Sequence, residues 1–165
     1  MRVYLPATVP MLRSLLDDGE LGSPPLRAFA VTPAVREWYV TSDVEELEYA
    51  ALREAAAASL RLIDADPGAA RRRVVVVADV PDAEVTPKPQ LERAVVELSA
   101  AVPLSRVAAV HADTAEAEPA VRAAANVVLE ADLGSDDAQF VVDGAEGYEL
   151  AWYATQEIGA LIELL

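Results

Sequence analysis

The chain has no cysteine, one histidine (His111), one lysine (Lys88) and only thirteen basic residues against 28 acidic ones. The first absence excludes disulfides, thiolate metal ligands and thiol nucleophiles together. With a single histidine, a zinc site would need two or more carboxylates to complete it, an uncommon donor set. The shortage of positive charge, a formal net charge of -15, argues against direct nucleic-acid binding, because a phosphate backbone must meet a basic surface. It also disfavours an anionic membrane surface. No apolar run approaches the roughly 20 residues needed to cross a bilayer. The chain begins M-R-V and passes straight into a strand-like segment without a signal peptide or lipidation motif, so the expected location is cytoplasmic. Nucleophile elbows, Walker loops and dinucleotide loops are missing: there is no G-x-S-x-G, no G-x-x-x-x-G-K and no G-x-G-x-x-G.

What is present is apolar. At 53% hydrophobic residues the chain is too rich for disorder despite its charge, and 165 residues suffice for one domain, 1–165, with its own core. Arg supplies the other twelve basic residues and 33 residues are Ala, a usage that follows GC-rich codon bias rather than a binding device. The acidity reads first as solubility. An acidic face for a basic partner, nucleic-acid mimicry and adaptation to a salty host are the alternatives.

Arg71 to Val80, R-R-R-V-V-V-V-A-D-V, is the stretch the rest is organised around. Successive strand residues point to opposite faces, so four consecutive valines predict a strand covered on both sides. Arg2–Ala7 reads as a first strand, Thr8 caps a helix ending near Gly19, and Leu26–Thr32 is a second strand. That order favours a parallel pair joined by a right-handed crossover. Thr32-Pro33 opens a short helix. Ser42 or Asp43 caps the longest one, Val44 to about Asp66, whose apolar stripe is interrupted by Glu48 and Ser59. Pro81–Arg93 reads as a loop, 94–100 as a strand antiparallel to the valine strand, and 106–112 as a further strand, with a short helix as the alternative. Glu118 to about Ala131 reads as a helix, Gly134–Asp137 as a turn and Glu146–Leu165 as a final helix. The expected fold is a single α/β or α+β domain with a small mixed sheet around a central Val-rich strand, covered by helices.

Three constellations carry chemistry. Glu48 sits on an apolar stripe, so it must be paired, hydrogen-bonded or protonated. With Glu45 it could hold a divalent metal or act as acid and base. Alternatively it pairs with an arginine such as Arg27 or Arg36 at the core's edge. His111 and Asp113 would share one face of a strand, a geometry that orients an imidazole or builds half a metal site. The alternative is a histidine satisfied near a strand end. Arg71-Arg72-Arg73 could meet a phosphate or an acidic partner. It could equally solvate the entry to an apolar strand or pair with surplus acids.

The segments R-V-Y-L-P-A-T (2–8), F-A-V-T-P (29–33), D-V-E-E-L-E-Y-A-A (43–51) and W-Y-A-T-Q-E (152–157) resemble a family of uncharacterised proteins from high-GC actinobacteria. The resemblance covers nearly the whole chain. It implies a single-domain cytoplasmic protein and transfers no cofactor and no catalytic residue.

Two functional expectations follow. The first is a non-enzymatic protein that acts through association, with itself or with a protein partner. The second is a small-molecule- or metal-binding enzyme using Glu45 and Glu48, with His111 and Asp113. The second requires those four side chains to converge.

Overall fold

The computed structural model describes residues 1–165. β1 (Arg2–Ala7) leads to α1 (Val9–Asp18). The Thr8 side chain accepts from the Met11 amide to cap that helix, and Gly19 ends it in the left-handed region at φ 75°. A two-residue strand β2 (Glu20–Leu21) and β3 (Leu26–Phe29) follow. β3 runs antiparallel to β1, with Tyr4 opposite Phe29, where the strand–helix–strand order predicts a parallel pair. The register explains the difference: α1, β2 and residues 22–25 form a complete out-and-back excursion. The chain therefore re-enters the sheet at the end of β1 it had left, and no crossover is made.

Thr32 caps α2 (Pro33–Trp38), and Asp43 caps α3 (Val44–Ala65) by accepting from the Glu45 amide. The valine strand is β4 (Val74–Asp79). Within the segment read as a loop lies a short strand, β5 (Val85–Pro87), followed by β6 (Val95–Leu98), β7 (Val102–Pro103) and β8 (Val107–Ala112). Two helices pack as a hairpin, α4 (Glu118–Asp132) and α5 (Asp136–Glu146). The second begins inside the expected turn, because the Ser135 side chain accepts from the Ala138 amide and starts a helix there. The chain ends with β9 (Ala151–Ala154) and α6 (Ile158–Leu164).

The seven-stranded sheet has the order β5-β6-β3-β1-β4-β8-β9, and every pairing in it is antiparallel. Of the two class readings the α+β one therefore holds. β4 is interior, between β1 and β8, so both its edges are occupied. That is why β6 pairs with β3 and β5 and not with the valine strand as expected. The single closing helix is also replaced. Ala151-Trp-Tyr-Ala forms a ladder with β8, and the aromatic pair favours a pleated surface over a helical one. The Thr155 hydroxyl donates to the Val107 carbonyl and the Glu157 carboxylate accepts from the Ala154 amide, which fixes the bend into α6.

The alternation along β4 does what four valines predict. Val74 and Val76 enter a core shared with Leu12 and Leu15 of α1 and with Ile158 and Leu161 of α6. Val75 and Val77 enter the opposite core beneath Leu47, Ala51 and Ala55 of α3. Beyond α3, its Leu60 and Ile63 pack on Val121, Ala124 and Val142 of the α4–α5 hairpin. The layers are thus α1/α6, sheet, α3, and the hairpin. No helix is long and apolar enough to cross a membrane.

Ser59, the second interruption of the α3 stripe, is fully buried. Its hydroxyl donates to the Ala7 carbonyl at 2.7 Å and accepts from the Val74 amide at 3.1 Å. It therefore clamps the last pair of the β1–β4 ladder to the helix above it.

Candidate functional site

The four residues singled out by sequence lie apart. Glu45 is exposed in the first turn of α3. Glu48 is half-buried and accepts from the Tyr4 hydroxyl at 2.9 Å, in place of the arginine partner considered for it. Burial, followed by the bond to Glu48, pushes the Tyr4 phenol well above its ordinary range. Arg36 and Arg2 line the same shallow surface cleft as Glu48 without a bond to it.

His111 is paired in register with Val75 on β4 and Trp152 on β9. It shares the α3 side of the sheet with Ala109, its neighbour two residues away. Burial alone pulls its imidazole below the ordinary value. Tyr4, which holds Glu48, stands opposite Val77, whereas Asp113 binds Arg73. Four residues of β4 separate those points, about 13 Å along the strand. No group of three or more His, Asp or Glu side chains is close enough to hold a metal ion.

Asp113 has a different occupation. It is 1% exposed and lies just past β8, and Arg73, 3% exposed, lies just before β4. Asp113 Oδ2 accepts from the Arg73 backbone amide (2.7 Å) and Nε (2.8 Å), and Oδ1 accepts from Nη2 (2.7 Å). Nη2 also donates to the Tyr148 carbonyl at 2.8 Å, tying down the segment that leads into β9. The other members of the basic run work locally. Arg71 donates to the Ile63 carbonyl at the end of α3 (2.9 Å), and Arg72 pairs with Glu118 at 3.2 Å.

Two surfaces missed by the sequence reading adjoin this pair. The first is a cleft between α3 and the Tyr148–Leu150 segment, with about 520 Å³ of empty space when its open mouth is included. Leu52, Leu60 and Leu150 form its apolar wall and Arg73 contributes to its lining. Two pairs cross the mouth: the Tyr49 hydroxyl donates to Glu149 Oε1 at 3.2 Å, and Arg53 lies 3.5 Å from Glu146. Beside it, Glu54 has one carboxylate oxygen, Oε2, buried without a hydrogen-bond partner. Burial and then the nearby Glu92 push this carboxyl above its ordinary value, with Arg93 opposing. The helical wheel places Glu54 on the charged face of α3, and a wheel cannot show what packs over it.

The second surface is the free edge of β9. The opposite edge strand, β5, is guarded: it contains Pro87 and is followed by the only lysine, Lys88. β9 has neither proline nor charge within its four residues, and its Trp152 is 60% exposed. The Ala154 amide is bonded to Glu157, so it points away from β8. By the two-residue period, the N–H and C=O of Trp152 point the same way.

No curated protein and no solved structure matches this chain. A family model does match, over residues 1–162. With one continuous match over nearly its whole length, the chain belongs to the family of unknown function designated DUF6912.

Proposed function

We propose that the protein acts by association and not by catalysis, and that a second copy of the chain takes up the β9 edge. The observation that carries this reading is the unguarded edge at Trp152. A strand edge with free backbone donors and acceptors is a template for another strand. A two-fold axis makes such a contact self-complementary. With the axis at Trp152, the two copies of that residue exchange N–H and C=O, and their rings lie on one face next to His111.

The charges agree with this register. Antiparallel pairing centred on Trp152 sets Glu149 opposite Thr155 and Glu157 opposite Gly147, so no carboxylate faces another. Moving the centre by one residue to Tyr153 would set Glu149 against Glu157 and pair Trp152 with Ala154, whose amide is already bonded to Glu157. The net charge of -15 per chain opposes self-association at long range, and salt screens that repulsion.

Sedimentation velocity across a concentration series, at low and at high salt, tests the proposal. The expected result is a monomer–dimer equilibrium that shifts toward dimer as salt rises. Trp152→Pro removes an N–H that points away from β8, so the β8–β9 ladder should survive while the dimer is lost. A wild-type chain that stays strictly monomeric at high salt, or a dimer that Trp152→Pro leaves intact, overturns it.

A further inference from the structure

Arg73 offers a donor that the fold does not use. Its Nε and Nη2 are taken by Asp113 and the Tyr148 carbonyl, but Nη1 has no protein partner. The side chain is 3% exposed. Glu54 Oε2 is nevertheless the one fully buried side-chain polar atom left without a partner. Nη1 is therefore not fully buried, and Arg73 lines the cleft. A guanidinium clamped on two sides and open on the third is a preorganised donor.

The rest of the cleft sets what such a donor can receive. Its wall is aliphatic, and Tyr49 and Tyr148 stand at its sides. The two pairs across the mouth are exposed, so opening them costs little. Arg53 and Arg73 are set against Asp113, Glu146 and Glu149, which leaves one negative charge in excess. A simple anion is therefore repelled at the rim, and a simple cation leaves Nη1 unanswered. A molecule bearing both charges satisfies both ends.

We infer that this cleft binds a small zwitterion with an apolar side chain, of the α-amino-acid class. Its carboxylate accepts from Arg73 Nη1, and its side chain lies against Leu52, Leu60 and Leu150. Its ammonium group lies toward Glu146 and Glu149. The cleft adjoins the β9 edge, since Glu149 and Leu150 lead directly into that strand, but all its lining comes from one copy and it does not depend on dimer formation.

Amide-resolved NMR titration of the intact chain with three probes tests the assignment: L-phenylalanine, phenylacetate and 2-phenylethylamine. Phenylalanine should give saturable shifts at Arg73 and at Tyr148–Leu150. Each single-charge analogue should bind at least about tenfold more weakly, the equivalent of one lost charged contact. Ala57→Trp, which fills the cleft from the half-buried side of α3, should abolish the phenylalanine shifts while leaving the remaining spectrum in place. Glu149→Gln, a change at the rim, should weaken phenylalanine and leave phenylacetate unchanged or tighter. The assignment is overturned if no probe gives saturable shifts at those amides. It is equally overturned if phenylacetate binds as tightly as phenylalanine, or if binding survives Ala57→Trp in a folded protein.

Discussion

Arg73 and Asp113 meet in a buried, two-pronged ion pair at 2.7 and 2.8 Å, placed where the β4–β8 ladder ends. Their backbones are joined as well, since the Asp113 amide donates to the Arg73 carbonyl at 3.1 Å. The pair thus adds one further rung beyond Val74 and Ala112. Through Nη2 it also holds Tyr148, and with it the approach to β9. A buried pair gains little over an apolar pair of similar volume, yet breaking it leaves one charge uncompensated. Asp113→Asn should therefore destabilise the fold by about 3–5 kcal/mol, read as a lower midpoint in urea. The double change Arg73→Met, Asp113→Leu should recover most of that loss. A single variant as stable as the wild type would show that water already solvates the guanidinium.

Ser59 makes a second, smaller prediction. Its hydroxyl answers both the Ala7 carbonyl and the Val74 amide, and helix, strand and strand close around it without room for exposure. Ser59→Ala removes both buried bonds and leaves the Ala7 carbonyl and the Val74 amide with only their ladder pairing, for a loss of about 1–2 kcal/mol. Ser59→Thr keeps the hydroxyl but adds a methyl to a fully packed site, so it should also destabilise, by overpacking. Hydrogen exchange at the Val74 amide should accelerate in Ser59→Ala before that of the rest of β4.

Much of this fold was legible because local signals agreed with their surroundings. Four valines specified a doubly covered strand, Thr8 and Thr32 specified caps, Ser42 or Asp43 a third, and the α3 stripe specified the face that meets β4. The misses have a common physical origin. Residues 151–154 are a strand only because β8 offers a partner, and β3 is antiparallel only because residues 20–25 return the chain to its starting side. Neither fact is local. The same holds for the site. Glu48 was rightly marked as needing a partner, but Tyr4 comes from another element. Asp113 was read beside His111, two residues away, whereas its true neighbour, Arg73, is forty positions distant.

Glu54 should respond to substitution in the opposite sense from Asp113. Its folded carboxyl is held above the ordinary value of about 4.5, first by burial and then by Glu92. The unfolded chain therefore ionises it more readily. Folding stability then falls as pH rises from that ordinary value through the higher folded one, and the penalty is complete at neutral pH. Replacing the side chain removes a buried oxygen without a partner. Glu54→Leu should raise stability by about 1 kcal/mol at pH 7 and by less at pH 4. Thermal melts at the two pH values decide it, and an equal gain at both would assign the effect to packing alone.

His111 gives the remaining pH signature. Burial between Val75 and Trp152 holds its imidazole below the ordinary value of about 6.5, and no charged neighbour contributes. Below that ordinary value the unfolded chain takes up a proton that the folded chain resists. Stability is therefore fully present above about pH 6.5, declines as the pH falls, and levels off once the folded imidazole itself titrates. Asp79 and Asp132, held low by Arg2 and Arg61, also lose stability in acid, but only below their own ordinary value of 3.8. The Glu54 effect runs the other way over part of the same window, so the comparison belongs in a Glu54→Leu background. There, urea midpoints between pH 7 and pH 5 should fall with His111 present and stay level in His111→Val, which suits the strand. An unchanged slope in that variant would place the titrating group elsewhere.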